Sequence, residues 1–201
     1  MAASQLSIYN MAIGMVGGTR AMSLEDDTTI GLVEVALLNE MWPTVVDDVV
    51  AGRDWSFART IALLNPVPDP LILNGINRAC YALPVNSATV RQIGDTPDFD
   101  PGYEWEIQGQ IIVVDSAPSA ALWARYTRVT RETALFDGPF VSCLVARLAA
   151  ELALPIANSK AMFEKMWALY MKRLVDSTTT NAVQGKRVAF ASGRLSRARN
   201  Q

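Results

Sequence analysis

A short aromatic run at residues 54–58, Asp-Trp-Ser-Phe-Ala, marks the point at which the residue pattern of the chain changes. Before it, apolar residues recur every three or four positions, which is typical of amphipathic helices. After it, from about residue 60 to 130, Pro and Gly separate β-branched and aromatic runs, which is typical of strands. Large aromatic side chains dominate the energetics of cores. We therefore predict that Trp55 and Phe57 are a structural anchor between a helical body and a β-rich module, and a share in a subunit interface is compatible with that role.

Two helices are predicted before this run. The first spans residues 5–17 and stops at a glycine pair, with an apolar stripe of Leu6, Tyr9, Ile13 and Val16. The second spans residues 28–51, and the acids and threonine at residues 25–28 favour its start. Because Pro43 removes a backbone hydrogen bond and clashes with the preceding turn, we expect a kink or a break near Trp42. The predicted stripe of this helix is Ile30, Val33, Leu37, Met41, Val45 and Val49.

The helical period returns after residues 136–139. Alanine fills the gaps of the third helix, which permits close packing, and Pro155 with residues 158–159 ends it. A fourth helix follows and is predicted to end at residues 177–181. The predicted apolar faces are Val141, Leu144, Val145, Leu148, Leu152 and Ile156 in the third helix, and Phe163, Met166, Tyr170 and Leu174 in the fourth.

Five strands are predicted in the central segment, at residues 81–83, 88–93, 105–108, 111–115 and 122–129. The third and fourth strands are joined by Gly109 and Gln110, which predicts a tight hairpin. The fold class is therefore mainly α with a β-rich insertion (α+β): an antiparallel helix bundle, a small antiparallel β module and an extended C-terminal arm. Residues 1–181 are expected to form one domain, with the helical body at about 1–60 and 132–180 and the β module at about 61–131, followed by the arm at 182–201.

The net charge of −2 hides a division along the chain. Residues 181–201 carry five bases and no acid, which leaves 13 of the 18 bases against all 20 acids in the first 180 residues, a charge of −7. A basic arm on an acidic body suggests an arm that docks on a partner, although a solvated terminus or a nucleic-acid contact fits the charge as well. The bases of the arm are Lys186, Arg187, Arg194, Arg197 and Arg199.

No motif for catalysis or cofactor binding is evident. The chain has no His and only two widely spaced Cys, Cys80 and Cys143, which removes ordinary zinc sites and predicts buried thiols in a reducing cytoplasm. Gly14, Gly17 and Gly18 fit a helix stop better than a phosphate loop, because no strand leads into them and no lysine follows in register. We expect no cofactor, no metal, no membrane span and no enzymatic activity.

Carboxylates offer the one alternative class of chemistry. Residues 25–27 are all acidic, and Asp47 and Asp48 are adjacent. Paired-carboxylate hydrolysis needs two carboxyl groups that face each other across about 5–9 Å. Adjacent residues of a helix point about 100° apart, so Asp47 and Asp48 do not form such a pair. A cell-wall hydrolase therefore stays a minor alternative.

Several short blocks occur in a fixed order over most of residues 6–175. They are residues 8–14, 24–27, 42–43 with 47, 54–58, 81–84, 105–109, 111–115, 125–130, 135–137 and 140–154. Their order and spacing resemble those of the head-to-tail adaptor family of short-tailed (podovirus-like) bacteriophages, the tail tubular protein A type. The chain departs from that pattern at Val46 and Asp54, where the family tends to have a basic residue, or in the second case also a proline.

The resemblance implies a structural connector with an α-helical bundle and a β-rich part. Such subunits form a ring, usually twelvefold, between the portal protein and the tail tube of a virion, and their C-terminal arm reaches along the portal. An acidic channel wall would repel the DNA backbone and let the genome slide. The candidate channel-facing acids are Glu34, Glu40, Asp47 and Asp48. The alternatives are a tail-completion or stopper protein at another virion interface and, from a different class, a nucleic-acid-binding module that uses the basic arm.

Overall fold

The computed structural model describes residues 3–24, 32–67, 78–99, 102–114 and 121–184. Within these ranges the chain forms four α-helices and seven strands: α1 (Gln5–Val16), α2 (Leu32–Ala51), β1 (Arg59–Leu63), β2 (Pro66–Val67), β3 (Ala79–Ala82), β4 (Ser87–Gly94), β5 (Trp105–Gln108), β6 (Ile111–Val114), β7 (Trp123–Arg128), α3 (Gly138–Ala153) and α4 (Lys160–Gln184). A short 3₁₀ turn at Thr133–Leu135 precedes α3. The predicted mixed α+β class is confirmed.

Helix α1 has the ends that its sequence predicts. The Ser4 hydroxyl oxygen accepts a hydrogen bond from the amide of Ser7 at 3.2 Å, which caps the N-terminus. Gly17 ends the helix with φ of 79°, a left-handed conformation that glycine adopts without a steric penalty. Leu6, assigned to the apolar stripe, is only half-buried. The buried face consists of Ile8, Tyr9, Ala12, Ile13 and Val16.

Helix α2 is unbroken from Leu32 to Ala51, so the predicted break near Trp42 is wrong, while a kink without a break stays a prediction. A proline costs one backbone hydrogen bond, and the core contacts of residues on both sides of Pro43 hold the helix together. The predicted stripe is partly correct, because Val45 and Val49 are buried and Leu37 and Met41 are partly buried, whereas Val33 is 63% exposed. The buried row also takes in Val35, Leu38, Trp42, Val46 and Val50. The predicted start at residue 28, its capping residues and Ile30 lie outside the described residues.

Helices α3 and α4 form an antiparallel pair near the end of the described chain. The Asp137 carboxylate accepts a hydrogen bond from the amide of Phe140 at 2.8 Å and caps α3. The predicted end of α4 at residues 177–181 is wrong, because the helix continues to Gln184 and takes in three residues assigned to the arm. No Gly or Pro occurs before Gly185, so each further residue can add one helical hydrogen bond. The predicted arm after Gln184, with its five bases, lies outside the described residues.

The strands form two small antiparallel sheets, with strand orders β1-β7-β4 and β2-β3-β6-β5. All five predicted strands are present with small differences at their ends, and the hairpin between β5 and β6 turns at Gly109, which has φ of 64°. Strands β1 and β2 were not predicted. The sheets enclose a core of their own, made of Leu64, Tyr81, Val90, Ile93, Ile112, Val114, Leu122, Ala124 and Tyr126. A second and larger core lies among the four helices.

Candidate subunit interface

Trp55 and Phe57 belong to an aromatic cluster inside the helical body. Trp55 is fully buried, and its indole N–H donates to the carbonyl of Val49 in α2 at 2.8 Å. Its ring meets that of Phe140 in α3 edge to face, with centroids 5.1 Å apart. Phe57 lies 4.9 Å from Phe140 and 5.6 Å from Phe136. These contacts tie α2 to α3, so both residues of the predicted anchor belong to the core of the helical body and not to that of the β module.

Polar contacts join the helical body to the β module instead. The carbonyl of Ala51, at the C-terminus of α2, accepts from the Arg91 guanidinium at 2.8 Å and from the Thr89 hydroxyl at 3.2 Å, both on β4. A cation at a helix C-terminus also interacts favourably with the helix dipole. Asp54 forms ion pairs with Arg59 at 3.2 Å and with Arg125 at 2.9 Å, one on β1 and one on β7. The segment from Ala51 to Arg59 is therefore the joint between the two parts.

The four acids predicted to face a channel do not lie in one row. Glu40 and Asp47 are seven residues apart and point within about 20° of each other, whereas Glu34 and Asp48 share a different side of α2. The carboxylate of Asp47 accepts two hydrogen bonds from the Arg131 guanidinium, at 3.0 and 2.6 Å. This hydrogen bonding raises the pKa of Arg131 above its ordinary value. Within the described residues Glu40 is exposed and has no ion-pair partner. Glu40 is therefore the acid of this set that best fits a surface that repels phosphate.

Asp48 lies instead beside a cluster at the contact of α2, α3 and α4. Its carboxylate is 4.0 Å from the Arg147 guanidinium of α3 and its side chain is 62% exposed. Arg147 also pairs with Glu151 one turn further along α3, and its guanidinium carbon lies 4.7 Å from the ring centroid of Trp167. A cation at this distance is attracted to the face of an indole ring. Arg147 thus contacts two acids, Asp48 and Glu151, and the ring of Trp167 in α4.

Trp167 begins a row of exposed apolar side chains on α4. Trp167, Met171 and Val175 are 38%, 46% and 64% exposed, and their four-residue spacing places them along one side of the helix. We call these three residues the α4 row. The other ring contacts of Trp167 are with Phe163, stacked at 5.9 Å, and with Tyr170 at 5.6 Å. These contacts hold the indole within its own subunit, and 38% of the Trp167 side chain stays exposed.

The sequence contains the signal for this row, but the apolar stripe predicted for α4 does not include it. The predicted stripe of α4 accounts for the buried side chains Met166 and Tyr170 and the partly buried Phe163 and Leu174. A second apolar row, one position further on at 167, 171 and 175, has the same period. In α4 the first row is buried in the subunit and the second is exposed.

The two cysteines are buried and not paired with each other, as predicted. Burial raises the pKa of the Cys143 thiol to about 11, so it stays protonated and unreactive at neutral pH. In the part of the chain that the structure describes, no group of three or more metal-ligating side chains occurs. The same residues include no helix long and apolar enough to cross a lipid bilayer.

A scan against protein-family models and a search of curated proteins both found no match for this chain. What the described residues define is a mixed α+β subunit with a well-packed helical body, a β module attached to it through polar contacts, and an apolar row open to solvent on α4. Such a row is typical of a surface that binds another protein.

Proposed function

We propose that the chain is a structural head-to-tail connector, an adaptor subunit of a short-tailed bacteriophage. In this proposal several copies, twelve by the family resemblance, form a ring between the portal protein and the tail tube, and the genome passes through it. The protein acts within the virion after synthesis in the host cytoplasm. It binds no cofactor and catalyses no reaction.

The observation that carries this proposal is the α4 row, because a connector needs a rigid surface through which copies can bind each other. Two of its members, Trp167 and Met171, are residue types enriched at interfaces. The row lies on the 25-residue helix α4, which packs along α3. The ordered sequence blocks over residues 6–175 independently favour the same class of protein.

The distribution of charge supports a contact with a portal and with DNA. Glu40 on the outer side of α2 is suited to a channel wall, because an exposed carboxylate repels the phosphate backbone. The five bases after Gly185 would bind an acidic surface of the portal, and the binding energy would offset the chain entropy lost on ordering. Because α4 extends to Gln184, this basic segment begins at the end of a helix that packs on the body.

Electron microscopy of the full-length protein mixed with the portal protein of its phage tests the proposal. We expect a ring of this chain stacked coaxially on the portal. A folded protein that forms no ring and does not bind the portal would overturn the proposal. A ring that binds another virion component, and leaves the portal bare, would favour the tail-completion or stopper alternative.

Removal of residues 185–201 tests the role of the basic segment. Because α4 ends at Gln184, this truncation leaves the described body intact, and we expect weaker portal attachment with a nearly unchanged thermal transition. A full-length variant with the five bases replaced by Gln is the matched control for charge, since it keeps the length of the segment. If both variants attach to the portal as strongly as the unmodified protein, the basic segment has no role in portal binding.

A further inference from the structure

The acidic charge of the chain is concentrated in the β module. Residues 64–121, which include strands β2 to β6, carry seven acids and two bases, a net charge of −5. The rest of residues 1–184 carries 13 acids and 11 bases, a net charge of −2. Residues 185–201 carry five bases and no acid. Within its own chain, this basic segment is therefore attracted most strongly by the β module.

Two exposed acids lie at the end of the β module that is remote from the joint. Strand β4 begins at the joint, where Thr89 bonds the body, and runs away from it. At its far end the amide of Tyr103 donates to the carbonyl of Ile93 at 3.1 Å, which brings residues 102–104 beside the turn that follows β4. Asp98 and Glu104 are exposed there, and neither side chain has a partner among the described residues. Both carboxylates are therefore available to pair with bases.

The bases of the β module do not neutralise these two carboxylates. Arg78 lies 3.5 Å from Glu106 of β5 and pairs with that acid instead. The guanidinium of Arg91 donates to a carbonyl of the body at the joint, and Arg125 of β7 pairs there with Asp54. In the described residues the remote end of the module therefore keeps an excess of negative charge.

Strand β5 is an edge of the second sheet and directly follows Glu104. In the strand order β2-β3-β6-β5 it pairs with β6 alone among the described residues, so the backbone groups on its other side have no strand partner there. The Ile107 side chain of this strand is 45% exposed. Edge strands of this kind bind an added strand through their backbone N–H and C=O groups. We call the outer side of Trp105–Gln108 the β5 edge.

The basic segment begins within reach of this edge. The Arg53 guanidinium, in the joint, donates to the Ser177 hydroxyl of α4 at 3.2 Å, and the helix continues past this contact to Gln184. Strand β4 has eight residues, so it carries the acidic end of the module about 26 Å from the joint. The 17 residues of 185–201 span up to about 55 Å when extended. The segment is therefore long enough for its last three bases to reach the exposed carboxylates.

We propose that the basic segment, residues 185–201, binds along the β5 edge of its own chain. Its bases pair with Asp98 and Glu104, and Val188 and Phe190, which alternate with alanines, have the two-residue period of a strand. Because the segment is tethered to the same chain, its local concentration at the edge stays high. The inference needs no partner protein and so does not depend on the connector proposal. The two are compatible, because a portal surface would compete with the β5 edge for the same bases.

Limited trypsin digestion of the full-length protein tests this contact, because trypsin cleaves after Lys and Arg and the segment contains five such sites. The cleavage rate is followed by mass spectrometry and compared with that of a free peptide of residues 185–201 under the same conditions. We expect at least fivefold slower cleavage in the protein at about 0.01 M salt. The rates should be nearly equal at about 1 M salt, where the screening length falls from about 30 Å to about 3 Å. Equal rates at both salt concentrations would overturn the proposal.

A double variant, Asp98→Asn with Glu104→Gln, removes the two exposed carboxylates from the β module and should lose most of the protection at low salt. The matched control is Glu34→Gln with Glu164→Gln, which makes the same change in charge near the ends of α2 and α4 that lie away from the joint. This control should keep the protection. Thermal unfolding checks that both variants are folded. If the two double variants are cleaved at the same rate, the acids of the module do not hold the segment and the proposal is wrong.

Cross-linking of the full-length protein gives a second measurement that keeps the acids in place. Arg194→Lys preserves the charge and provides an amine, which a carbodiimide couples to a contacting carboxylate as an amide. We expect a link to Asp98 or Glu104, and in a mixture of isotopically labelled and unlabelled copies each link should join residues of one copy. Absence of these links, or links between labelled and unlabelled copies, would refute the contact. Neither result bears on ring formation or portal binding, so failure here leaves the connector proposal standing.

Discussion

The helical body and the β module are stabilised in different ways. The body has a continuous apolar core in which Trp55, Phe140 and Tyr9 are fully buried and α3 is surrounded by the other helices. The β module has a smaller core between two short sheets, and polar contacts from Ala51 and Asp54 attach it to the body. Because apolar burial supplies most folding free energy, the body should determine the stability of the subunit.

This difference also separates two structural roles. The α4 row, the proposed contact between copies, lies on the helical body, where packing fixes the shape of a surface. The β module is attached through the polar contacts of Ala51 and Asp54 and through the ion pair of Asp47 with Arg131, and partly exposed contacts of this kind contribute less to stability than a buried apolar core. In the proposed connector we therefore expect contacts between copies to depend more on the helical body than on the β module.

The largest expected effect is that of Trp55→Ala, which tests whether the aromatic cluster dominates the body. It removes an indole that is fully buried and leaves a cavity beside Phe140, which should lower the free energy of unfolding by about 3–5 kcal/mol. Ring assembly should fall with it, through loss of the folded body. Chemical denaturation gives the free energy, and electron microscopy gives the assembly.

Trp167→Ala is the matched control for this prediction, because it makes the same replacement on the partly exposed α4 row. It should cost well under half as much in the stability of the monomer and yet weaken self-association. If the Trp55→Ala protein assembles and unfolds like the unmodified chain, the core of the helical body does not determine the stability of the subunit.

The buried thiol of Cys143 in the helical core should have an intermediate effect, on the free energy of unfolding at alkaline pH. Burial raises the pKa of Cys143 from 9.0 to about 11 in the folded protein, so between these pH values the unfolded chain has lost a proton that the folded chain retains. The contribution to stability is fully present below pH 9 and is lost as the pH rises through 11. Linkage then gives a loss on the order of 2 kcal/mol across this window.

Cys143→Ala should make the alkaline loss of stability smaller. The measurement is the difference in free energy of unfolding between pH 8 and pH 11, for the variant and for the unmodified chain. Burial also raises the pKa of Tyr9 and Tyr170, and the comparison removes their shared contribution. Parallel pH profiles for the two proteins would show that the thiol does not titrate in this window.

The smallest effect is expected at the joint. Arg91→Met removes the guanidinium that caps the C-terminus of α2, and should cost about 1 kcal/mol, because the Thr89 hydroxyl still bonds the Ala51 carbonyl. Arg91→Lys keeps the favourable charge at the helix end and should cost less. Thermal unfolding ranks the two variants, and a loss as large as that of Trp55→Ala would show that the joint contributes as much as the core.

Local patterns account for the parts of the fold that the sequence predicted well. The α1 stop at Gly17 and the turn at Gly109 each depend on residues next to one another in the chain. Strand β1 was missed because its five residues follow the aromatic run directly and are recognisable only by their pairing with β7, more than sixty positions along the chain. The ion pair of Asp47 with Arg131 joins residues that are still more remote, 84 positions apart.

The sequence by itself determined where the four helices and most of the strands lie along the chain, because the apolar period and the turn residues are local properties. Only the tertiary structure decided which apolar row each helix buries. In α2 the buried row runs through Val35, Leu38 and Trp42, and in α4 the row at Trp167, Met171 and Val175 stays open. A row is buried when a neighbouring helix packs against it, and that neighbour comes from a distant part of the chain.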